Sequence, residues 1–160
     1  MVPAGFPEDL VERFDHVALA VRSIPDTLPL VELLGGRFLQ GADHSRNGFR
    51  WVHFRLADGT KLELIQPIRD DCFLHRFLAS GEGVHHLTFK VADVEEAARR
   101  VQAAGFETVG LHLDPAWSEV FIHPRSSHGV LIQLAAWEDD LHWQGPSLDD
   151  VLAGRVLDTS

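Results

Sequence analysis

The sequence predicts an α+β fold built from two tandem βαβββ modules, with helices outside a mixed sheet. Three observations carry this. The chain repeats itself at a spacing of 70: residues 16–64 set against 86–134 without gaps give eight identities in 49 positions. Each copy opens with a short alternating apolar stretch ("HVALAV", "HLTFKV") and runs on into a helical pattern. Each then returns as apolar strands through a turn containing Gly59 or Gly129. A repeat of this size is one supersecondary unit that needs its neighbour to bury its apolar face.

The identities are His16/His86, Val21/Val91, Val31/Val101, Gly35/Gly105, His53/His123, Arg55/Arg125, Gly59/Gly129 and Leu64/Leu134. Glu63 falls on Gln133. The second helix, "VADVEEAARRVQAAG", is the clearer. Asp93 suits its N-cap, Glu95 and Glu96 its first turn, and Gly105 its stop. The first contains Pro25 and Pro29, so a late or irregular start is expected. Strands follow at "RWVHFRL" with "KLELIQ" and at "SEVFIHP" with "VLIQLA", and a further short strand is expected near "GRFLQG" and "FETVGL". This divides the chain into a module at 13–66, a linker at 67–83 with a short helix near 72–79, and a module at 84–136. An acidic tail at 137–160 follows, in which Ser147 suits a helix N-cap.

Composition limits the function. A net charge of −10 argues against binding a phosphate backbone. No window has the ~18 uninterrupted apolar residues of a membrane span. The N-terminal stretch has neither the basic start nor the apolar core of a secretion signal, so a cytoplasmic location is expected. Cys72 is the only cysteine, which excludes an intramolecular disulfide and cysteine-based zinc sites. Ten histidines in 160 residues are the feature to explain.

The repeat selects among them. His16 and His86 begin equivalent strands; Glu63 and Gln133 lie in equivalent later ones. In "KLELI", Leu62 and Leu64 facing the helices would turn Glu63 to the opposite face. Two imidazoles, one carboxylate and one amide oxygen form a mixed N/O set for one divalent ion: Co, Ni, Mn, Zn or Fe. In "GVHHLTFKV" the repeat makes His86 the inward histidine, because His85 aligns with Asp15.

The segments "FDHVALAV", "TKLELIQPI", "FLASGEGVHHLTFKV" and "IHPRSSHGVLIQL" resemble the vicinal oxygen chelate superfamily, which includes glyoxalases, bleomycin resistance proteins and dioxygenases. Within it they are most like the methylmalonyl-CoA epimerase branch. The resemblance implies an open, cup-shaped mixed sheet around a divalent metal, with His16, Glu63, His86 and Gln133 as ligands and homodimers common. Epimerases usually carry a carboxylate at the position of Gln133, and some pair it with a glutamine at the position of Glu63. This chain has the mirror of that set. Its "LHLDPAWSEV" also departs from the Gly- and His-containing stretch usual there.

The expected chemistry is proton transfer next to a carbonyl, most simply on a methylmalonyl-CoA-like thioester. Glu63 is the expected base as well as a ligand, and His53 and His123 are the candidates for a second acid/base. The alternatives are a glyoxalase-like lyase or isomerase of a specialised pathway, a metal-free antibiotic-binding protein of the same fold, and an Fe(II) dioxygenase using His16, His86 and Glu63.

Overall fold

The structure is a computed structural model, and it describes residues 10–138 and 145–159. The N-terminal stretch read for a leader, and part of the acidic tail, lie outside the described residues. Two βαβββ modules are present, as the repeat predicts. The first runs β1 (Val11–Ala20), α1 (Ile24–Leu33), β2 (Arg37–His44), β3 (Phe49–Arg55), β4 (Lys61–Pro67). The second, after the linker helix α2 (Leu74–Leu78), runs β5 (Gly83–Val91), α3 (Val94–Ala103), β6 (Thr108–His112), β7 (Ser118–Ile122), β8 (Ile132–Ala136). The chain closes with α4 (Leu148–Leu152) and β9 (Leu157–Asp158).

In the first module the strands lie in the order β1-β4-β3-β2-β9. β1 pairs parallel with β4, and β2, β3 and β4 pair antiparallel. Leu62, Leu64, Val52 and Phe54 face one side of this sheet, where Ile24 and Val31 of α1 complete a core. The helix does not start late. Ser23 caps it, its hydroxyl accepting the Asp26 amide, and Pro25 stands in the first turn, where no amide is needed. In the second module the order is β5-β8-β7-β6, with Val94, Ala97 and Ala98 of α3 packed on Val120 and Leu134. Asp93 caps α3 through the Glu96 amide, and Gly105 follows its end at φ 90°.

The compact units do not follow a linear cut. One comprises residues 16–85 with the C-terminal segment, the other residues 86–138 with the N-terminal half of β1. The tail is therefore integral to the first module. Val151 of α4 is wholly buried in its core, and β9 pairs parallel with β2. Ser147 caps α4 in a reciprocal capping box with Asp150. Arg50 ties the segment down, holding Asp43 through two nitrogens and donating to the Leu152 carbonyl at 2.7 Å. In the second unit the Ala92 amide donates to the Leu10 carbonyl, and Lys90 lies 3.3 Å from Glu12.

Candidate metal centre

Glu63 sits at the middle of β4, with Leu62 and Leu64 turned to the helix side and its carboxylate to the other face. His53 is directly opposite on β3. Its Nε2 donates to Glu63 Oε1 at 3.1 Å. On the neighbouring strand His16 Nε2 lies 3.4 Å from Glu63 Oε2, and the His16 and His53 rings are 4.8 Å apart. All three side chains are buried. Burial pushes His53 below the ordinary imidazole value of 6.5, and its hydrogen bond to Glu63 opposes this without reversing it. The ring is therefore neutral near pH 7. A carboxylate only accepts, so the single ring proton is on Nε2, and Nδ1 accepts from Gln40 Nε2 at 3.3 Å. A register shift in β2 between Phe38 and Gln40 puts Gln40 opposite His53.

In the second module Gln133 is held at both ends of its amide. Oε1 accepts from Thr88 Oγ1 and Nε2 donates to Glu119 Oε2, each at 2.6 Å. Glu119 also accepts from Trp117 Nε1 at 2.9 Å. The amide oxygen keeps a second lone pair. His86 is buried, with its ring edge-on to Phe121. His85, its sequence neighbour, turns the other way and packs against Phe73 and Phe77 at the linker helix.

His123 does not take the place the repeat assigns it. Phe121, not His123, stands opposite Gln133 as His53 stands opposite Glu63. The second hairpin is two residues longer, so a gapless alignment slips by two along β7. His123 lies beyond the strand. Its Nδ1 accepts the Arg125 amide and its carbonyl accepts the hydroxyls of Ser126 and Ser127, so it shapes the turn. Gln40, Thr88 and Glu119 join this polar network without a motif or repeat partner to mark them in the sequence. Register opposite His53 was the one available signal for Gln40; nothing marked the other two.

His16 and Glu63 in the first module, and His86 in the second, are residues that could hold a metal ion, each offering one donor atom. The donor chemistry fits a divalent ion, and the His53–Glu63 bond is the kind of outer partner that orients a ligating carboxylate.

A family model of the glyoxalase/bleomycin resistance protein/dioxygenase superfamily matches residues 15–116. The chain belongs to that superfamily. Its vicinal oxygen chelate modules are accordingly those of the fold described above. Protein YqjC of Bacillus subtilis is 33% identical over 141 residues, covering 82% of this chain and 97% of its own. The mitochondrial methylmalonyl-CoA epimerase of Dictyostelium discoideum is 27% identical over 133 residues, 78% of each chain. A Streptomyces coelicolor methylmalonyl-CoA epimerase solved with 2-nitronate-propionyl-CoA superposes with a TM-score of 0.70 at 27% identity, covering 81% of this chain and 99% of that one.

Among the described residues no helix is long and apolar enough to cross a membrane.

Proposed function

We propose that this chain is a divalent-metal-dependent epimerase or isomerase that moves a proton next to the carbonyl of a methylmalonyl-CoA-like thioester. The observation that carries the reading is the buried His16, Glu63 and His86 donor set. Similarity to methylmalonyl-CoA epimerases over most of the chain supports the substrate class. We take 13–66 and 84–136 as the two ligand-bearing modules, with Gln133 as the fourth ligand. When bound, a divalent ion supplies Lewis-acid stabilisation of the charge that builds on a carbonyl oxygen as its α-proton leaves.

The chain's own residues handle the proton. Glu63, the only carboxylate of the set, accepts it. His53 holds one Glu63 oxygen through its Nε2 proton and leaves the other to react or bind. A neutral imidazole beside that carboxylate can also relay a proton, and we assign His53 that role. His123 is instead engaged in its turn, its Nδ1 accepting the Arg125 amide.

The reading includes a small-molecule partner rather than nucleic acid, in keeping with the net charge of −10. It also includes no membrane partner, a homodimer and a cytoplasmic location; light scattering on the eluting protein tests the dimer. The function is tested by incubating metal-loaded protein with methylmalonyl-CoA in D2O. Deuterium at the α-carbon is the expected result. No exchange, with turnover of a hemithioacetal instead, would move the chain to the glyoxalase-like reading.

A further inference from the structure

Strand register orders the site-bearing face of the first module into rows running across the strands. Gln40, His53 and Glu63 form one row. Two residues along one way lie Trp51 and Ile65, grouped with Ala20 and with Leu74 and Leu78 of α2. Two residues along the other way, Arg37 pairs with Arg55, Arg55 with Lys61, and Lys61 with His16. Phe38 and Phe54, their sequence neighbours, enter the core on the opposite face, which turns the cations to the site side. Strand geometry puts this row about 7 Å from the Glu63 row and makes it about 10 Å long.

Like charges directly opposite on one sheet face are destabilising. Here three stand in register in a chain of net charge −10. Arg55 Nη1 donates to the Gly59 carbonyl at 3.3 Å, and among the described residues neither arginine has an ion pair with a carboxylate. Charges also serve to blunt an open sheet edge. That accounts for Arg37, on β2 beyond the reach of β9, but not for Arg55 and Lys61 on the inner strands.

We propose that Arg37, Arg55 and Lys61 form an anion-binding row that seats the phosphate groups of a CoA-type thioester while its acyl end meets the Glu63 row. This rests on the CoA-thioester reading above. Guanidinium forks match phosphate oxygens in paired hydrogen bonds, and a bound phosphate offsets the like charge of Arg37 and Arg55. The spacing of the two rows gives the substrate a direction, with its charged end at the arginines and its acyl end at the Glu63 row.

The test is calorimetric binding of free CoA, and of pantetheine, which lacks the phosphates, to metal-free protein. The proteins compared are wild type, Arg37→Gln/Arg55→Gln and Arg55→Lys. The double variant should lose on the order of 10-fold in CoA affinity, keep its pantetheine affinity and show a shallower salt dependence. Arg55→Lys should retain most of the CoA affinity. The melting temperature of the double variant should match or exceed that of wild type, since a repulsion is removed. Unchanged CoA affinity in the double variant would overturn the row and leave the substrate reading standing. Equal losses for CoA and pantetheine would also overturn it, because the phosphates would not be what the arginines hold. A wild type that binds no CoA overturns the row and the substrate class together.

Discussion

Glu63 is held by His53, whose Nε2 donates to its Oε1 at 3.1 Å, and His53 is in turn held by Gln40. One carboxylate oxygen is thereby fixed while the other faces His16. Outer partners of this kind typically contribute about 10–100-fold to metal affinity. His53→Ala should therefore weaken divalent-ion binding by about that factor, and Gln40→Ala by less. Competition against a chelating dye measures both. An affinity unchanged in His53→Ala would remove the histidine from the site.

Protein purified without chelator or affinity metal should carry about one equivalent of a transition metal per chain. Elemental analysis should show it lost in His16→Ala, Glu63→Ala and His86→Ala. Gln133→Ala should lose it only partly, since a neutral amide oxygen is the weakest donor of the set. If His86→Ala keeps its metal, the ligand set is wrong.

The buried, neutral state of His53 gives metal-free protein a pH dependence. Its pKa is lower folded than the 6.5 of an exposed imidazole, so below that value the unfolded chain binds more protons than the folded one. The stability held by the neutral ring is complete above pH 6.5 and is lost as pH falls through the folded value. Urea unfolding of the metal-free protein should show this decline, and His53→Gln should flatten it. An NMR titration that places His53 above 6.5 would contradict the assignment.

Val151→Ala should destabilise the fold by about 1–3 kcal/mol, because two methyl groups leave a fully packed position on α4. Gly41 should be less tolerant still. A Cβ there would come within 2.6 Å of the Trp51 carbonyl and 3.1 Å of a Val151 methyl. Chemical denaturation of Gly41→Ala and Val151→Ala measures both effects.

Much of this was legible in the sequence. The period of 70 located the paired modules, and alternation in "KLELI" gave the direction of Glu63. Asp93 and Ser147 announced their helices, because capping is a local event that sequence reports directly. What failed was whatever depended on a count across a turn. The longer second hairpin moved His123 out of the strand, although its identity with His53 had survived the alignment. The tail was illegible for another reason. Its acidic residues advertise solvent, while a single valine and a two-residue strand do the anchoring. Gln40 and Glu119 acquire their meaning only from the strand that happens to lie opposite.

The C-terminal segment also bears on how the chain behaves among its own copies. β9 occupies hydrogen-bonding groups of β2 that would otherwise offer a template to another chain's strand. In the other module the terminal strand β6 is only five residues long and its pairing with β7 is interrupted around Gly110, at φ 66°. One edge is protected by a cover that can be removed, the other by its own irregularity. A proteolytic nick ahead of Ser147 would thus do more than loosen a core. It would bare the Asp43–His44 end of β2, and the clipped protein should aggregate through the first module while the intact chain stays dispersed.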